Sequence, residues 1–125
     1  MENKNNELSK EDIKIEYIRK YFEDEKLLEN ASTEEKEIYK KYIREGIKKN
    51  WVIALYALAY GCYSGNAIFK CDWVKSRDSL LKIIDIQGDE DPFVYNTLGY
   101  IYYYGRCNIY RSAVFILRGQ ADGFV

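Results

Sequence analysis

Apolar residues recur at helical spacing through most of this chain. Residues 9–29 and 32–50 each carry apolar side chains on one face and charged side chains on the other, the pattern of amphipathic α-helices. Ser9 opens a variant of the capping box that begins the first helix, and either Ser32 or Thr33 begins the second. We therefore predict two charged helices within the first fifty residues.

The next predicted helix, from residue 51 to about 63, has two apolar stripes instead of one. The first stripe consists of Trp51, Ala54, Leu55, Leu58, Ala59 and Cys62, and the second of Val52, Tyr56, Tyr60 and Tyr63. A helix that is apolar on two sides packs between neighbours. A fourth helix is predicted over about 72–86, ended by Gly88, with Trp73, Leu80, Leu81, Ile83 and Ile84 buried.

The pattern of the third helix returns forty residues later. Leu58-Ala59-Tyr60, Tyr63 and Gly65 reappear as Leu98-Gly99-Tyr100, Tyr103 and Gly105, while Ala54 matches Val94 and Trp73 matches Tyr110. Gly65 and Gly105 are each expected to end a helix in the left-handed conformation. A period of this length in helix pairs is typical of a stacked α-solenoid.

These residues resemble the Sel-one-like repeat, a subclass of the tetratricopeptide helical repeats. The family pattern is Ala-x-Tyr-x-Leu-Gly-x-x-Tyr-x-x-Gly, followed by Asp-Tyr-x-Lys-Ala at the start of the second helix. The first copy contains Ala54-Leu55-Tyr56-Ala57-Leu58-Ala59, Gly65 and Asp72-Trp73-Val74-Lys75-Ser76, and the second contains Val94-Tyr95-Asn96-Thr97-Leu98-Gly99, Tyr102, Gly105, Tyr110 and Ala113. Ala59 replaces the expected Gly, Asn96 replaces the expected Tyr, and the match weakens after Cys107.

The resemblance implies an all-α fold of about six helices, a right-handed α-α superhelix of stacked antiparallel pairs. We expect a flexible N-terminus over 1–8, a charged helix pair over 9–50 that is a degenerate or capping repeat, and two repeats over 51–125. The second repeat is eroded at its C-terminus, where residues 107–125 keep apolar spacing but lose charged residues. We expect either a truncated repeat array or self-association through this uncapped end.

Composition excludes several classes of function. The chain is 47% hydrophobic and 31% charged, which is globular, and its net charge of -1 argues against binding nucleic acid. The N-terminus has no apolar signal region, and no apolar run reaches the roughly 20 residues that span a bilayer. We therefore predict a cytoplasmic protein without membrane association, whose three cysteines are reduced.

Candidate chemistry is sparse. The chain has no histidine and no glycine-rich phosphate loop, so we predict no catalytic residue, no metal and no cofactor. Ser79-Leu80-Leu81-Lys82 matches the Ser-x-x-Lys string of penicillin-interacting enzymes, but its place in an amphipathic helix favours a structural role. The acidic run at 89–91 fits either a cation site or, more simply, an N-cap for the next helix.

Cys62 and Cys71 lie too far apart for a Cys-x-x-Cys motif, and we favour a structural role over a redox or metal role. Disulfide-bearing relatives pair cysteines between the two helices of a repeat, which requires an oxidising compartment.

Tyrosines are the best candidates for a binding surface, because they combine a large contact area with a hydroxyl group. The predicted partner-binding residues are Tyr56, Tyr60, Tyr63, Tyr100 and Tyr103, with Tyr60 and Tyr100 expected to face the groove together. The leading hypothesis is a non-catalytic module that binds a protein or peptide through the concave face of the repeat. The alternatives are a regulatory or immunity-type protein that neutralises one partner through the charged helices over 9–49 as much as through the groove, and an enzyme of peptidoglycan or β-lactam chemistry.

Overall fold

The computed structural model describes residues 8–88 and 91–105, and all regular structure within these ranges is α-helical. The helices are α1 (Lys10–Phe22), α2 (Glu25–Glu29), α3 (Thr33–Lys48), α4 (Val52–Ser64), α5 (Trp73–Gln87) and α6 (Pro92–Gly105). The predicted all-α class is confirmed for this part of the chain, and one of its six helices, α2, was not predicted as a separate element. No helix in these ranges is both long enough and apolar enough to cross a membrane. The expectations for residues 1–7, for the pair 89–90, and for Cys107, Tyr110, Ala113 and the rest of 106–125 lie outside the described residues.

Short-range side-chain hydrogen bonds decide where the long helices begin. Ser9 Oγ accepts from the backbone N–H of Asp12 at 3.0 Å, and Ser32 Oγ accepts from that of Glu35 at 3.1 Å. In both cases the carboxylate accepts in return from the backbone N–H of the serine, which completes a capping box. Asp72 caps α5 in the simpler way, through the N–H of Lys75. The predicted helix starts are confirmed, and Ser32 rather than Thr33 is the cap.

The single helix predicted over 9–29 is wrong, because the chain leaves the helix after Phe22. Asp24 adopts an extended conformation, and its side chain accepts from the backbone N–H of Leu27 at 3.1 Å, which starts α2. Short acidic side chains compete with the helix for backbone N–H groups, and here the competition breaks it. The break brings Leu28 into the interior, where it is buried.

Positive backbone φ angles occur where α3, α4 and α5 end. Asn50 has φ 61°, and the next residue, Trp51, donates its N–H back to the Gly46 carbonyl at 2.8 Å. Gly65 and Gly88 have φ 79° and 78°, as a glycine terminator requires. Their ψ angles of 142° and -153° are extended, so the left-handed helical conformation predicted for Gly65 is not the one adopted. Gly105 is the last residue of α6.

Helix α4 lies between two apolar cores. One core joins α4 to α1, α2 and α3, and the other joins α4 to α5 and α6. Small residues let α4 and α5 approach closely, so that the buried Ser76 hydroxyl donates to the Ala59 carbonyl at 2.7 Å. The prediction that this two-striped helix packs between neighbours is confirmed.

The buried positions of α4 recur in α6. In α4 they are Ala54, Leu55, Ala57, Ala59, Gly61 and Cys62; in α6 they are Val94, Tyr95, Thr97, Leu98, Gly99, Ile101 and Tyr102. Each buried residue of α4 therefore has a buried counterpart forty residues later, and Leu98 is the one addition. The two helices turn the same face to the interior although most of the paired side chains differ in size.

Ion pairs join α1 to α3 around one carboxylate. Glu45 accepts from Lys14 Nζ at 2.9 Å and from Lys49 Nζ at 3.2 Å. Lys49 also donates to Glu11 at 2.9 Å. These lysines stabilise the charged form of Glu45 and hold the pKa of its carboxyl group below the usual value of 4.5.

The lowered pKa of Glu45 predicts a loss of stability in acid. A carboxyl group whose pKa is lower in the folded protein contributes stability that is fully present above about pH 4.5 and is lost as the pH falls through the lowered value. We expect the urea midpoint to fall over this window, and Glu45→Gln to reduce the fall. Glu29→Gln, at an exposed position of α2, is the control. Equal acid sensitivity in wild type, variant and control would contradict this prediction.

Candidate binding surfaces

The structure divides the predicted partner-binding tyrosines into two groups. Tyr56, Tyr60 and Tyr63 on α4 are half-buried and pack against the core shared with α5 and α6. Tyr100 and Tyr103 on α6 are 46% and 57% exposed. The five side chains therefore do not form one uniformly exposed face.

Tyr56 has a structural role. Its hydroxyl donates to Asp91 Oδ2 at 2.6 Å and accepts from Gln87 Nε2 at 3.0 Å. Burial, followed by the hydrogen bond to this carboxylate, raises the pKa of Tyr56. Asp91 Oδ1 also accepts from the backbone N–H of Phe93 at 3.0 Å. Asp91 thus serves as the predicted acidic cap of α6, and Tyr56 ties it to α4 and to the end of α5.

Tyr60 differs from Tyr100 in its surroundings, although the two match in the repeat. Its ring stacks on Tyr56 with centroids 6.0 Å apart, and its buried hydroxyl has no hydrogen-bond partner among the described residues. The Thr97 hydroxyl lies near it and donates to the Phe93 carbonyl at 2.9 Å. Burial raises the pKa of Tyr60. A cavity of about 170 Å³ lined by α1, α2, α3 and α4 reaches this residue, and its volume is below the roughly 300–1,000 Å³ of ligand pockets.

Tyr63 links the half-buried tyrosines to the exposed ones. Its ring stacks on Trp73 at 5.5 Å between centroids, and the Trp73 indole N–H donates to the Tyr63 carbonyl at 2.8 Å. Burial raises the pKa of Tyr63, and the proximity of Tyr100 raises it further. Tyr63 therefore lies at the border between the core and the outer face of α6.

Three exposed tyrosines form a cluster on α6, which we call the tyrosine surface: Tyr100, Tyr103 and Tyr104. Tyr100 and Tyr104 stack with centroids 5.6 Å apart, and Tyr103 meets Tyr104 edge to face at 4.8 Å. Tyr104 is 62% exposed. Ring-on-ring packing restricts these side chains while their faces and hydroxyl groups stay accessible, which suits a contact surface.

A second surface, which the sequence did not indicate, is an open groove between α3 and α5 above α4. Its volume is about 510 Å³. It is lined by Lys40, Ile43, Arg44, Ile47, Leu55, Leu58, Phe69, Lys75, Asp78, Ser79 and Lys82, and we call it the basic groove. Lys40 and Arg44, and likewise Lys75 and Lys82, are spaced so that each pair shares one face of its helix, and this spacing could have indicated a basic surface. The net charge of -1 for the whole chain gives no sign of it.

The loop between α4 and α5 places Phe69 at one end of the basic groove. Asn66 Oδ1 accepts from the backbone N–H groups of Ile68 and Phe69, both at 2.8 Å, which fixes a tight turn. A side chain at Gly61 would come within 2.7 Å of the Phe69 ring, so this glycine makes room for it. The Asn66 side chain and the space left at Gly61 thus fix the position of Phe69 at this end of the groove.

The structure also locates the residues considered for catalysis, redox chemistry and metal binding. Ser79 and Lys82 both line the basic groove, but no hydrogen bond joins them in the part of the chain that the structure describes. Cys62 is buried and Cys71 exposed, both as free thiols, and Cys71 Sγ donates to the Tyr63 carbonyl at 3.5 Å. Burial raises the pKa of the Cys62 thiol. Residues 8–88 and 91–105 contain no group of three or more side chains suited to holding a metal ion.

Comparison of the chain with protein-family models, with curated proteins and with solved structures finds no match. The likeness to Sel-one-like repeats therefore rests on the residues of this chain alone.

Proposed function

We propose that this chain is a non-catalytic protein-binding module built from Sel-one-like repeats, and that it binds a protein or peptide through the tyrosine surface. The stacked, right-handed superhelix is part of this proposal. The forty-residue recurrence of buried positions between α4 and α6 supports it, since equivalent helices of a repeat bury equivalent faces.

The order of helix contacts also supports a repeat architecture. Helix α1 packs against α3 and α4, α3 packs against α4, α4 packs against α5, and α5 packs against α6. Pairs α1–α3 and α4–α5 then correspond to two repeats, α6 opens a third, and α2 is an insertion in the first. Contacts confined to a repeat and its neighbour are typical of solenoids.

The observation that carries the binding role is the exposure of three packed tyrosines on α6. Contiguous exposed apolar patches mark interaction sites, and tyrosine is enriched among the residues that dominate binding energy at interfaces. In a helical repeat the first helix of each pair lines the concave face, and α4 and α6 are the first helices here. Tyr56, Tyr60 and Tyr63 form the half-buried base of the same face.

Replacing Tyr100 and Tyr103 together with alanine is expected to weaken partner binding at least about tenfold, because aromatic side chains dominate interface energies. The measurement is affinity capture from the source cell, quantified by mass spectrometry, followed by calorimetric titration of the captured protein. Thermal unfolding should change little, since both side chains are exposed.

The matched control replaces two apolar residues of similar exposure on other helices, Ile13→Ala on α1 and Val74→Ala on α5. Wild type and control should bind alike. Undiminished binding by the Tyr100/Tyr103 variant, or an equal loss in the control, would refute the tyrosine surface as the site.

A further inference from the structure

The floor of the basic groove is apolar and partly exposed to solvent. Ile47 of α3, Leu58 of α4 and Phe69 of the following loop are partly exposed there, while two further lining residues, Ile43 and Leu55, are buried. Its volume of about 510 Å³ lies within the roughly 300–1,000 Å³ typical of ligand sites. An apolar trough of this size is suited to a few large side chains of a partner.

The rim of the groove is strongly basic, in contrast to the net charge of -1 for the chain. Lys40 and Arg44 stand on the α3 side, and Lys75 and Lys82 on the α5 side. Within the described residues Arg44, Lys75 and Lys82 have no ion-pair partner. Cations on both sides of an apolar floor favour an occupant with carboxylates along both of its edges.

The basic side chains of this rim outnumber its carboxylates. Among the described lining residues the acidic one is Asp78, which is paired with Arg77 at 2.9 Å. Lys40 has a loose pair with Glu37 of its own helix at 3.6 Å. Three cations of the rim thus keep their charge available for a partner.

The walls of the groove favour a helical occupant. Both walls are α-helices, whose backbone groups are already paired, so an extended strand would find no edge to extend. An amphipathic helix satisfies its own backbone. The lining stretches 40–47 and 75–82 are each about 10 Å long at 1.5 Å per residue, which corresponds to two helical turns.

We propose that the basic groove is a docking site, separate from the tyrosine surface, for an acidic amphipathic helix of a partner protein. Apolar side chains at i, i+3 or i+4, and i+7 of that helix contact the floor, and its flanking Glu and Asp residues pair with the rim.

A synthetic helical peptide of about 18 residues, with leucines at this spacing and glutamates on both flanks, is the probe. Fluorescence anisotropy at low salt should give a Kd of about 100 μM or tighter, weakening as salt is added. Arg44→Glu with Lys75→Glu should weaken binding at least about tenfold. The matched control, Lys26→Glu with Lys41→Glu, has the same charge change at exposed positions outside the groove and should bind like wild type.

Several results would overturn the proposal: no binding at about 1 mM peptide, equal binding of a scrambled peptide of the same composition, or equal losses in the two charge variants. Binding of vesicles that contain anionic phospholipid, without binding of the peptide, would do the same. The Tyr100/Tyr103 variant should bind the peptide as wild type does, which separates failure of this site from failure of the tyrosine surface.

Discussion

Replacing Gly46 with alanine is expected to destabilise the protein by about 2 kcal/mol, although the same change stabilises most helices. A Cβ at Gly46 would lie 2.6 Å from the Ala54 Cβ and 2.7 Å from the Trp51 ring. Relieving such overlap costs about 3 kcal/mol in a packed interior, against a gain of about 1 kcal/mol in helix propensity. The net loss in the free energy of unfolding would show that the close approach of α3 and α4 requires a residue without a side chain at position 46.

Urea unfolding followed by circular dichroism provides the free energy of unfolding for this comparison. Lys41→Ala, at an exposed position of α3, should change it by less than about 0.5 kcal/mol. Adding Ala54→Gly to Gly46→Ala should recover part of the loss, since it removes the nearest atom. A Gly46→Ala protein more stable than wild type would mean that the two helices separate without cost.

Replacing Asp91 with alanine is expected to cost about 3 kcal/mol of stability. The Asp91 side chain caps the backbone N–H of Phe93, and loss of an N-cap costs about 1 kcal/mol. It also accepts the short hydrogen bond from Tyr56 at 2.6 Å, and hydrogen bonds to charged groups contribute about 2 kcal/mol. One carboxylate therefore connects the start of α6 to α4.

A double-mutant cycle with Tyr56→Phe separates the two contributions of Asp91. Tyr56→Phe should remove the part due to the tyrosine, so that Asp91→Ala costs only about 1 kcal/mol in that background. Asp85→Ala, at an exposed position of α5, is the control and should be nearly neutral. Additive losses, with no coupling between Tyr56 and Asp91, would show that their hydrogen bond contributes nothing to stability.

Helix ends were predictable where a cap acts over three residues, because donor and acceptor are then neighbours in sequence. Ser9, predicted as a cap, and Ser32, one of two predicted candidates, are such caps, and Asp72 caps the helix that was predicted to begin there. Asp24 has the same chemistry but lies within a run of charged residues that also favours a continuous helix. The break at Asp24 is favoured over a continuous helix because it allows Leu28 to be buried, and this contact is seen only in the tertiary structure.

The exposure of individual tyrosines was not predictable from periodicity. Tyr60 and Tyr100 occupy the same repeat position, yet one has a buried hydroxyl and the other is exposed. Spacing along a helix sets the direction of a side chain, whereas the neighbour that it meets comes from a distant part of the chain. The pairing of Tyr56 with Asp91, 35 residues away, was beyond sequence reasoning for the same reason.

By itself the sequence determined the helical class, most of the helix ends and the apolar faces, because these follow from hydrogen bonds and side-chain spacing within a few turns. Tertiary structure alone decided that Lys40 and Arg44 face Lys75 and Lys82 across one groove, since α4 must pack between α3 and α5 to bring them together. It also decided which tyrosines stay accessible. Both properties depend on contacts between segments that are far apart in the sequence and close together in the fold.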